Sequence, residues 1–154
     1  MLTEKEMREI RSELAHCETK ESASVEALNI VQRHRGWVSD DALKGVAVML
    51  DMTPDELDAV ATFYSFIFRK PVGRHVILIC DSISCWVMGY HPLLDLLEAR
   101  LGVTFGGTTE DNRFTLLPIS CLGACDKAPA MMVDDDLYGP VSPETMDEIL
   151  RKYA

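Results

Sequence analysis

Four of the five cysteines in this 154-residue chain form two pairs, and these pairs constrain the fold more than any other feature. The first pair is Cys80-x4-Cys85 and the second is Cys121-x3-Cys125, with 35 residues between them. Each pair begins at the end of a run with strand character, HVILIC for the first and RFTLLPISC for the second. Two strands that end in cysteine loops bring four thiols to one end of a sheet. The sequence therefore predicts a metal centre at this end.

The segment between the two pairs predicts how the two strands run. A helix is expected from about residue 92 to residue 101, where Gly102 stops it. A strand–helix–strand crossover makes the strands parallel, so both cysteine loops leave the same edge of the sheet. Gly123 permits the tight loop in which Cys121 and Cys125 face one centre. Open α/β sheets bind ligands at the carboxyl ends of their strands, where both pairs fall.

Residues 1–72 carry helical patterns joined by short connections, which predict a small helical bundle. Strong capping signals mark where these helices begin and end. They are Thr3-x-x-Glu6, Gly36, Ser39 and Thr53-Pro54-Asp55-Glu56.

The aromatic run FYSFIF, residues 63–68, is expected in the core or at a seam between the two parts of the chain. It is followed by the breaker Lys70-Pro71-Val72-Gly73, where the composition changes. We therefore predict a helical domain at residues 1–72 and a mixed α/β domain at residues 73–154. The basic cluster Arg69-Lys70-x3-Arg74 is interpreted either as a solvated linker or as a surface that meets an acidic partner.

The pattern after the second cysteine pair completes the prediction of the fold. Two short strands are expected at residues 130–133 and 137–141, joined by the acidic turn DDD, and Ser142-Pro143-Glu144 begins a terminal helix. Strand, helix, strand, hairpin and helix is the order of a thioredoxin-like half-sandwich. The predicted class is α+β, a small N-terminal helical bundle followed by a thioredoxin-like α/β domain.

The charge of the chain excludes several kinds of partner. Its formal net charge is −10 and its pI is near 4.8. Binding to nucleic acid, and electrostatic binding of a basic segment to an anionic membrane, are therefore both disfavoured. We also find no targeting segment and no apolar run of membrane-spanning length. The expectation is a soluble, cytoplasmic protein without membrane insertion. In a reducing cytosol, cysteines with this spacing are metal ligands more often than disulfides.

Three interpretations of the four cysteines compete. Structural zinc takes four thiolates in a tetrahedron, whereas a [2Fe–2S] cluster is wider and takes two thiolates on each iron. The two loops are longer than the common C-x2-C, so the spacing favours the cluster, leaves zinc open and places two disulfides last. A Rieske centre needs two histidines, and neither loop contains one. Cys17 is expected to be a small buried hydrophobic residue.

The sequence predicts a carrier that needs a partner. It contains no G-x-G-x-x-G or P-loop motif, so we do not expect it to bind nicotinamide or flavin alone. If the cysteines hold a one-electron centre that draws on a hydride donor such as NADH, a flavin on a partner must split the electron pair, and the isolated chain is expected to show no NADH oxidation. A thioredoxin-like thiol–disulfide enzyme is disfavoured because a C-x-x-C at a helix start is missing.

The chain resembles, over nearly its whole length, the thioredoxin-like [2Fe–2S] subunits of bacterial respiratory complex I (NADH:quinone oxidoreductase), and four stretches carry the resemblance. They are GWV at residues 36–38, ATFYSFIFRKPVGRH at 61–75, CDSISCWVMGY at 80–90 and RFTLLPISCLGACDKAPAMMVDDD at 113–136. The same pattern is similar to subunits of NAD-linked hydrogenases and formate dehydrogenases. The resemblance implies a thioredoxin-like [2Fe–2S] ferredoxin domain in which Cys80, Cys85, Cys121 and Cys125 ligate one [2Fe–2S] cluster.

The resemblance also implies a role and partners. The chain would be a one-electron carrier within NADH:quinone oxidoreductase, an oxidoreductase only as part of that complex. It would exchange electrons with FMN on an NADH-binding, NuoF-type subunit, beside further complex I subunits, peripherally on the inner face of the cell membrane. Two alternatives stay open: the equivalent subunit of an NAD-linked hydrogenase or formate dehydrogenase, and a zinc-stabilised interaction module.

Three features near the cysteines carry further expectations. Backbone N–H groups of residues 81–84 and 122–124 are candidates for hydrogen bonds to the sulfurs of a negatively charged cluster. Lys127 either adds positive charge there or is an ordinary surface lysine. Trp86, Met88 and Tyr90 either shield the centre from water or pack their loop against the following helix.

Overall fold

The computed structural model describes residues 1–153, which form two compact units. The first unit is Met1–Pro71 and the second begins at Val72. The first unit is helical, and the second contains the sheet and both cysteine pairs.

The first unit contains four α-helices, three of which begin at a capping signal of the sequence, whereas the second begins without a side-chain cap. They are α1 (Glu4–Leu14), α2 (Ser24–Arg35), α3 (Asp40–Leu50) and α4 (Pro54–Phe63). Thr3 and Thr53 form reciprocal capping boxes with Glu6 and Glu56, and the Ser39 side chain accepts the Ala42 N–H. Apolar faces of these helices enclose a core whose members include Ile10, Leu28, Val31, Leu50 and Leu57. The capping signals therefore predict these three helix starts correctly.

The expectation that the aromatic run is buried is wrong for most of its members. Phe63 is 81% exposed, and Tyr64 and Phe66 are each 46% exposed. Within α4 the buried residues are Leu57 and Ala61, four positions apart on one face. Phe63 follows Ala61 by two positions, so it lies toward the opposite side of the helix. The position of Phe63 around the axis of α4, and not its aromatic character, therefore decides that its side chain does not reach the core.

Arg69 lies in the folded unit and not in a solvated linker. Its guanidinium donates to Asp58 Oδ1 and to Asp40 Oδ1, each at 2.7 Å, and also to the Val38 carbonyl. The three acceptors lie in α4, in α3 and directly before α3. For Arg69 the interpretation as a solvated linker is therefore wrong, because its charge is already paired within the unit, whereas contact of the basic cluster with an acidic partner stays a prediction.

The second unit contains a four-stranded sheet in the order β2-β1-β3-β4. Its strands are β1 (His75–Cys80), β2 (Phe114–Ile119), β3 (Met131–Val133) and β4 (Asp136–Tyr138). β1 pairs in parallel with β2, with Cys80 opposite Ile119, and antiparallel with β3. The predicted crossover and hairpin are confirmed, and the ends of β1 and β2 lie side by side. The sequence predicts a strand at residues 137–141; the observed strand there, β4, is shorter than predicted and begins one residue earlier.

Three helices accompany the sheet. They are α5 (Ile83–Met88), α6 (Tyr90–Leu101) and α7 (Pro143–Lys152). Leu93 and Leu97 of α6, with Met146 and Ile149 of α7, pack in one core with the strand residue Phe114. The sequence prediction missed α5, because its six residues are too short to show an apolar period. The fold is α+β, as predicted.

We also searched the described part of the chain for membrane spans. None of its helices combines the length and the apolar character needed to cross a bilayer.

Candidate metal centre

The first cysteine pair is buried at the end of β1. Cys80 is the last residue of the strand, and Cys85 lies on α5, where it is the buried residue of that helix. Only 3% of Cys80 and 2% of Cys85 is exposed. Small apolar side chains surround both thiols. These are Ala124, Ala128 and Ala130, with Leu122 partly buried beside them.

The second cysteine pair is exposed at the end of β2. Cys121 and Cys125 both lie on the surface, and their sulfur atoms are 4.0 Å apart. Gly123 between them has φ +73°, a left-handed conformation that a side chain rarely adopts. Its N–H donates to Cys121 Sγ at 3.4 Å. The tight loop expected at Gly123 is therefore present.

Contacts connect the two pairs at one end of the sheet. Cys80 Sγ donates to the carbonyl oxygen of Ser120 at 3.9 Å, directly before Cys121. Burial raises the pKa of the Cys85 thiol, and the neighbouring Cys80 and Cys125 thiols raise it further. All four sequence-predicted cysteines thus lie together, two in a small apolar enclosure and two at its surface. Their role as ligands stays a prediction.

The N–H donors around the sulfurs differ in part from the expected ones. Gly123 donates to sulfur as predicted, whereas the Asp81 N–H is already donated to the Ile119 carbonyl at 3.0 Å. The Ala130 backbone, which we did not predict, lowers the pKa of Cys85 through hydrogen bonding and so partly offsets the effect of burial. Ala130 also accepts the Cys80 N–H at 3.1 Å. Only the pairing of β3 beside β1 brings Ala130 there, and no local sequence signal indicates it.

An apolar surface lies beside Cys85 on α5. The side chains of this helix that point to solvent are Ile83, Trp86, Val87 and Met88, which are 57–80% exposed. We call these four residues the α5 patch. Tyr90, by contrast, is 8% exposed and packs in the core with α6. Packing against the following helix is therefore correct for Tyr90, and also for Trp86, whose ring lies edge-to-face 6.0 Å from that of His91 on α6, whereas Met88 faces outward.

Three further observations concern Lys127, the oxidation state of the cysteines and sites for single metal ions. Lys127 is exposed at the end of a short 3₁₀ turn that begins at Cys125. All five cysteines are free thiols, and Cys17 lies half-buried against the core of the first unit. Within residues 1–153, no three or more His, Cys, Asp or Glu side chains are arranged to hold a single metal ion.

Comparison with known families identifies close sequence relatives. A family model described as "Thioredoxin-like [2Fe-2S] ferredoxin" matches residues 10–154. One relative, an NADH-quinone oxidoreductase subunit of Pseudomonas aeruginosa, is 47% identical over 154 residues, which is all of this chain and 93% of that protein. The protein of the same name from Escherichia coli (strain K12) is 48% identical over 152 residues, 99% of this chain and 92% of that one.

A solved structure is also similar. The crystal structure of an NAD+-reducing [NiFe]-hydrogenase in the air-oxidised state matches with a TM-score of 0.72 and 25% sequence identity. The match covers 85% of this chain but 22% of the hydrogenase chain, so the similarity concerns one part of a much longer polypeptide.

Proposed function

Because the chain belongs to the thioredoxin-like [2Fe–2S] ferredoxin family, we propose that it is the electron-carrier subunit of an NADH:quinone oxidoreductase. In this proposal, Cys80, Cys85, Cys121 and Cys125 hold one [2Fe–2S] cluster. The observation that carries it is the meeting of the two cysteine pairs at the adjacent ends of β1 and β2.

The residues present fit such a cluster. A [2Fe–2S] cluster takes four thiolates, two on each iron, and the chain supplies four free thiols as two pairs. The sulfurs of Cys121 and Cys125 are already 4.0 Å apart, as two ligands of one iron would need to be. Structural zinc instead requires four sulfurs around a single point, and within residues 1–153 no three metal-binding side chains are arranged in this way. This arrangement supports the cluster over zinc.

The cluster, when bound, accepts and releases one electron at a time. The chain's own residues supply its surroundings. Ala124, Ala128 and Ala130 exclude water from the buried cysteines, which limits solvation of the negative charge. The Gly123 N–H donates to the Cys121 sulfur, and the Ala130 backbone lowers the pKa of Cys85, so both favour that charge. We propose that this balance sets how readily the centre is reduced.

A partner is required by the chemistry and supported by the surface. NADH delivers a hydride, so an FMN on a NuoF-type, NADH-binding partner must divide the electron pair before this chain takes one electron. The α5 patch is apolar, exposed and adjacent to Cys85, which are properties of an interaction surface. We propose that the patch contacts this partner. The assembled chain would then lie with other complex I subunits, peripherally on the inner face of the membrane.

Electron paramagnetic resonance on anaerobically purified protein tests the cofactor. After dithionite reduction we expect one unpaired spin per chain, with about two irons and two acid-labile sulfides in the same sample. One zinc ion per chain and no signal would reject the carrier role and favour the zinc-stabilised module. The pure, flavin-free chain should also show no NADH oxidation, and turnover by it would contradict the need for a partner.

A second host complex is supported by the solved structure of the NAD+-reducing hydrogenase. Both hosts would use the same carrier chemistry, so the cofactor test does not distinguish them. Affinity purification of the tagged chain from its own cells does. A complex that reduces quinone with NADH supports the first host, whereas one that reduces NAD+ with hydrogen supports the second.

A further inference from the structure

The two cysteine pairs differ in how a reagent can reach them. Cys121 and Cys125 are exposed on a loop, whereas Cys80 and Cys85 are 3% and 2% exposed beneath a layer of small apolar side chains. Thiol–disulfide exchange requires direct access of the attacking sulfur to the disulfide. In a chain without its cluster, the exposed pair should therefore react first.

We propose that Cys121 and Cys125 form a reversible disulfide in the cluster-free chain, while Cys80 and Cys85 stay thiols. The oxidant is a low-molecular-weight disulfide such as oxidised glutathione. One cysteine sulfur attacks it, forms a mixed disulfide and releases one glutathione thiol. The second cysteine then attacks the mixed disulfide and releases the other glutathione. Two protein thiols are oxidised, one small disulfide is reduced, and the protons pass to the two released thiols.

The loop geometry favours closure within this pair. The two sulfurs are 4.0 Å apart, and a disulfide bond of about 2 Å needs them to approach by a further 2 Å or so. Both side chains are exposed, so neither has to leave a packed core to turn toward the other. Gly123 already holds the loop in its tight, left-handed conformation, and its N–H holds the Cys121 sulfur.

The buried pair is held differently. The Cys80 sulfur donates to the Ser120 carbonyl at 3.9 Å, and Cys85 is the buried residue of α5. Both are enclosed by alanines that would have to separate before a molecule as large as glutathione reached either sulfur. Burial therefore protects the Cys80 and Cys85 thiols from oxidised glutathione, although the two cysteine pairs lie close together.

The disulfide would control loading of the cluster, a consequence that rests on the proposed function. It removes two of the four thiolates that the cluster requires, both from the same end of the site. Chains that carry the Cys121–Cys125 disulfide would stay without a cluster until a dithiol reduces that disulfide. Loaded chains would be protected, because their sulfurs are bound to iron. The exposed loop thus becomes a redox-sensitive gate for assembly.

Differential alkylation of the full chain tests the disulfide itself. Cluster-free protein, prepared with a chelator, is incubated with oxidised glutathione, denatured in iodoacetamide, reduced and labelled with N-ethylmaleimide. Peptide mass spectrometry should place N-ethylmaleimide on Cys121 and Cys125, and iodoacetamide on Cys80 and Cys85. N-ethylmaleimide on the buried pair, or on no cysteine, would overturn the proposal.

Two variants give matched controls. In Cys125→Ser we expect glutathione to stay attached to Cys121, because the second attack is lost. In Cys85→Ser the disulfide should form as in the parent chain. If Cys85→Ser instead prevents it, the exposed cysteines depend on the buried pair for their reaction and the proposal fails.

Cluster reconstitution separates this inference from the proposed function. The oxidised chain should take up no iron and sulfide until dithiothreitol is added, and should then recover fully. A chain that forms the disulfide but never binds two irons in its reduced state would refute the carrier role and leave the disulfide standing. Uptake by the oxidised chain equal to that of the reduced chain would refute the gate.

Discussion

The carboxylate of Glu6 is a charged group buried almost completely in the first unit. Its side chain is 1% exposed, and it accepts the Arg35 Nε at 2.6 Å and Nη2 at 2.7 Å. The Thr3 N–H also donates to it, at 2.6 Å. The hydrogen bonds from Arg35 lower the pKa of Glu6 from 4.5 to about 2, against the opposing effect of burial. A single capping residue therefore also fixes α1 against the end of α2.

We expect Glu6→Gln to destabilise the first unit. Removing one charge of a buried pair leaves Arg35 without its counter-charge, so the free energy of unfolding should fall by about 3 kcal/mol at pH 7. Urea unfolding followed by Trp37 fluorescence measures this change, in a Trp86→Phe background so that only the first unit is reported. An unchanged urea midpoint would contradict this role of the ion pair.

Glu56→Gln is the matched control for Glu6→Gln. Glu56 makes the same capping box with Thr53, but it is exposed and has no arginine partner in the structure's described residues. Replacing Glu56 by Gln should lower the free energy of unfolding by less than about 1 kcal/mol. A cost equal to that of Glu6→Gln would assign the effect to the cap and not to the ion pair.

The same ion pair predicts a loss of stability in acid. The pKa of Glu6 is lower in the folded chain than the ordinary 4.5, so its contribution is complete above about pH 4.5. It should disappear as the pH falls from about 4.5 toward 2. Urea midpoints of the parent and Glu6→Gln should therefore converge across this range. Parallel pH profiles would show that Glu6 is not the group responsible.

Replacement of each pair member tests the four proposed ligands. Cys80→Ser, Cys85→Ser, Cys121→Ser and Cys125→Ser should each lower the cluster content of the reconstituted chain several-fold, because a serine hydroxyl is a harder and weaker ligand than a thiolate. Cys17→Ser, in the other unit, should leave it unchanged. Visible absorbance and iron analysis provide the measurement. Full loading of any one of the four variants would remove that residue from the ligand set.

At the scale of elements, Arg69 connects segments that the sequence shows as separate. Its guanidinium bonds Asp40 at the start of α3, Asp58 within α4 and the Val38 carbonyl before α3. Because a planar guanidinium presents several fixed donors, it binds all three acceptors at once. The chain that follows α4 is thereby held against both helices.

Arg69→Lys should therefore weaken the first unit although the charge is kept. An ammonium cannot reproduce the three contacts, and we expect a loss of about 1–2 kcal/mol in the free energy of unfolding. Lys70→Ala, at the neighbouring position, should change stability by less than about 0.5 kcal/mol. Equal effects of the two substitutions in the Trp37 fluorescence assay would contradict the clamp.

At the scale of the whole molecule, the distribution of apolar side chains on the surface indicates where a partner binds, and the net charge does not. The chain is strongly acidic, yet an apolar helix face is exposed next to the buried cysteines. A carrier must bring its centre close to the donor, so an exposed apolar surface beside that centre is where a partner is expected. The α5 patch meets both conditions.

Val87→Asp should weaken association with the proposed flavin-bearing partner and leave the proposed cluster intact. A charge at the centre of an apolar interface loses its hydration without gaining a partner. Val48→Asp is the control, since Val48 is an 82% exposed helical valine on the other unit, compared with 69% for Val87. Co-purification and the EPR signal are measured together. Equal losses for the two variants would exclude a specific role for the patch.

The sequence by itself determined three of the four helix starts in the first unit and the parallel order of the two cysteine strands, and it favoured a [2Fe–2S] centre while leaving zinc open. These properties depend on local rules, such as capping boxes, strand runs, crossover handedness and cysteine spacing, which act over short stretches of chain. The resemblance to a known family added the cofactor and partner that the proposed function uses.

Only the tertiary structure decided which cysteines are buried, that Ala130 accepts the Cys80 N–H, that Arg69 is an internal clamp and that Phe63 faces solvent. Each depends on residues far apart in the sequence, or on the phase at which a helix meets its core. A spacing pattern shows which groups can meet, but burial and hydrogen-bond partners depend on packing between elements. That is why the sequence predicted four equivalent cysteines, whereas the structure separates them into a protected pair and an exposed one.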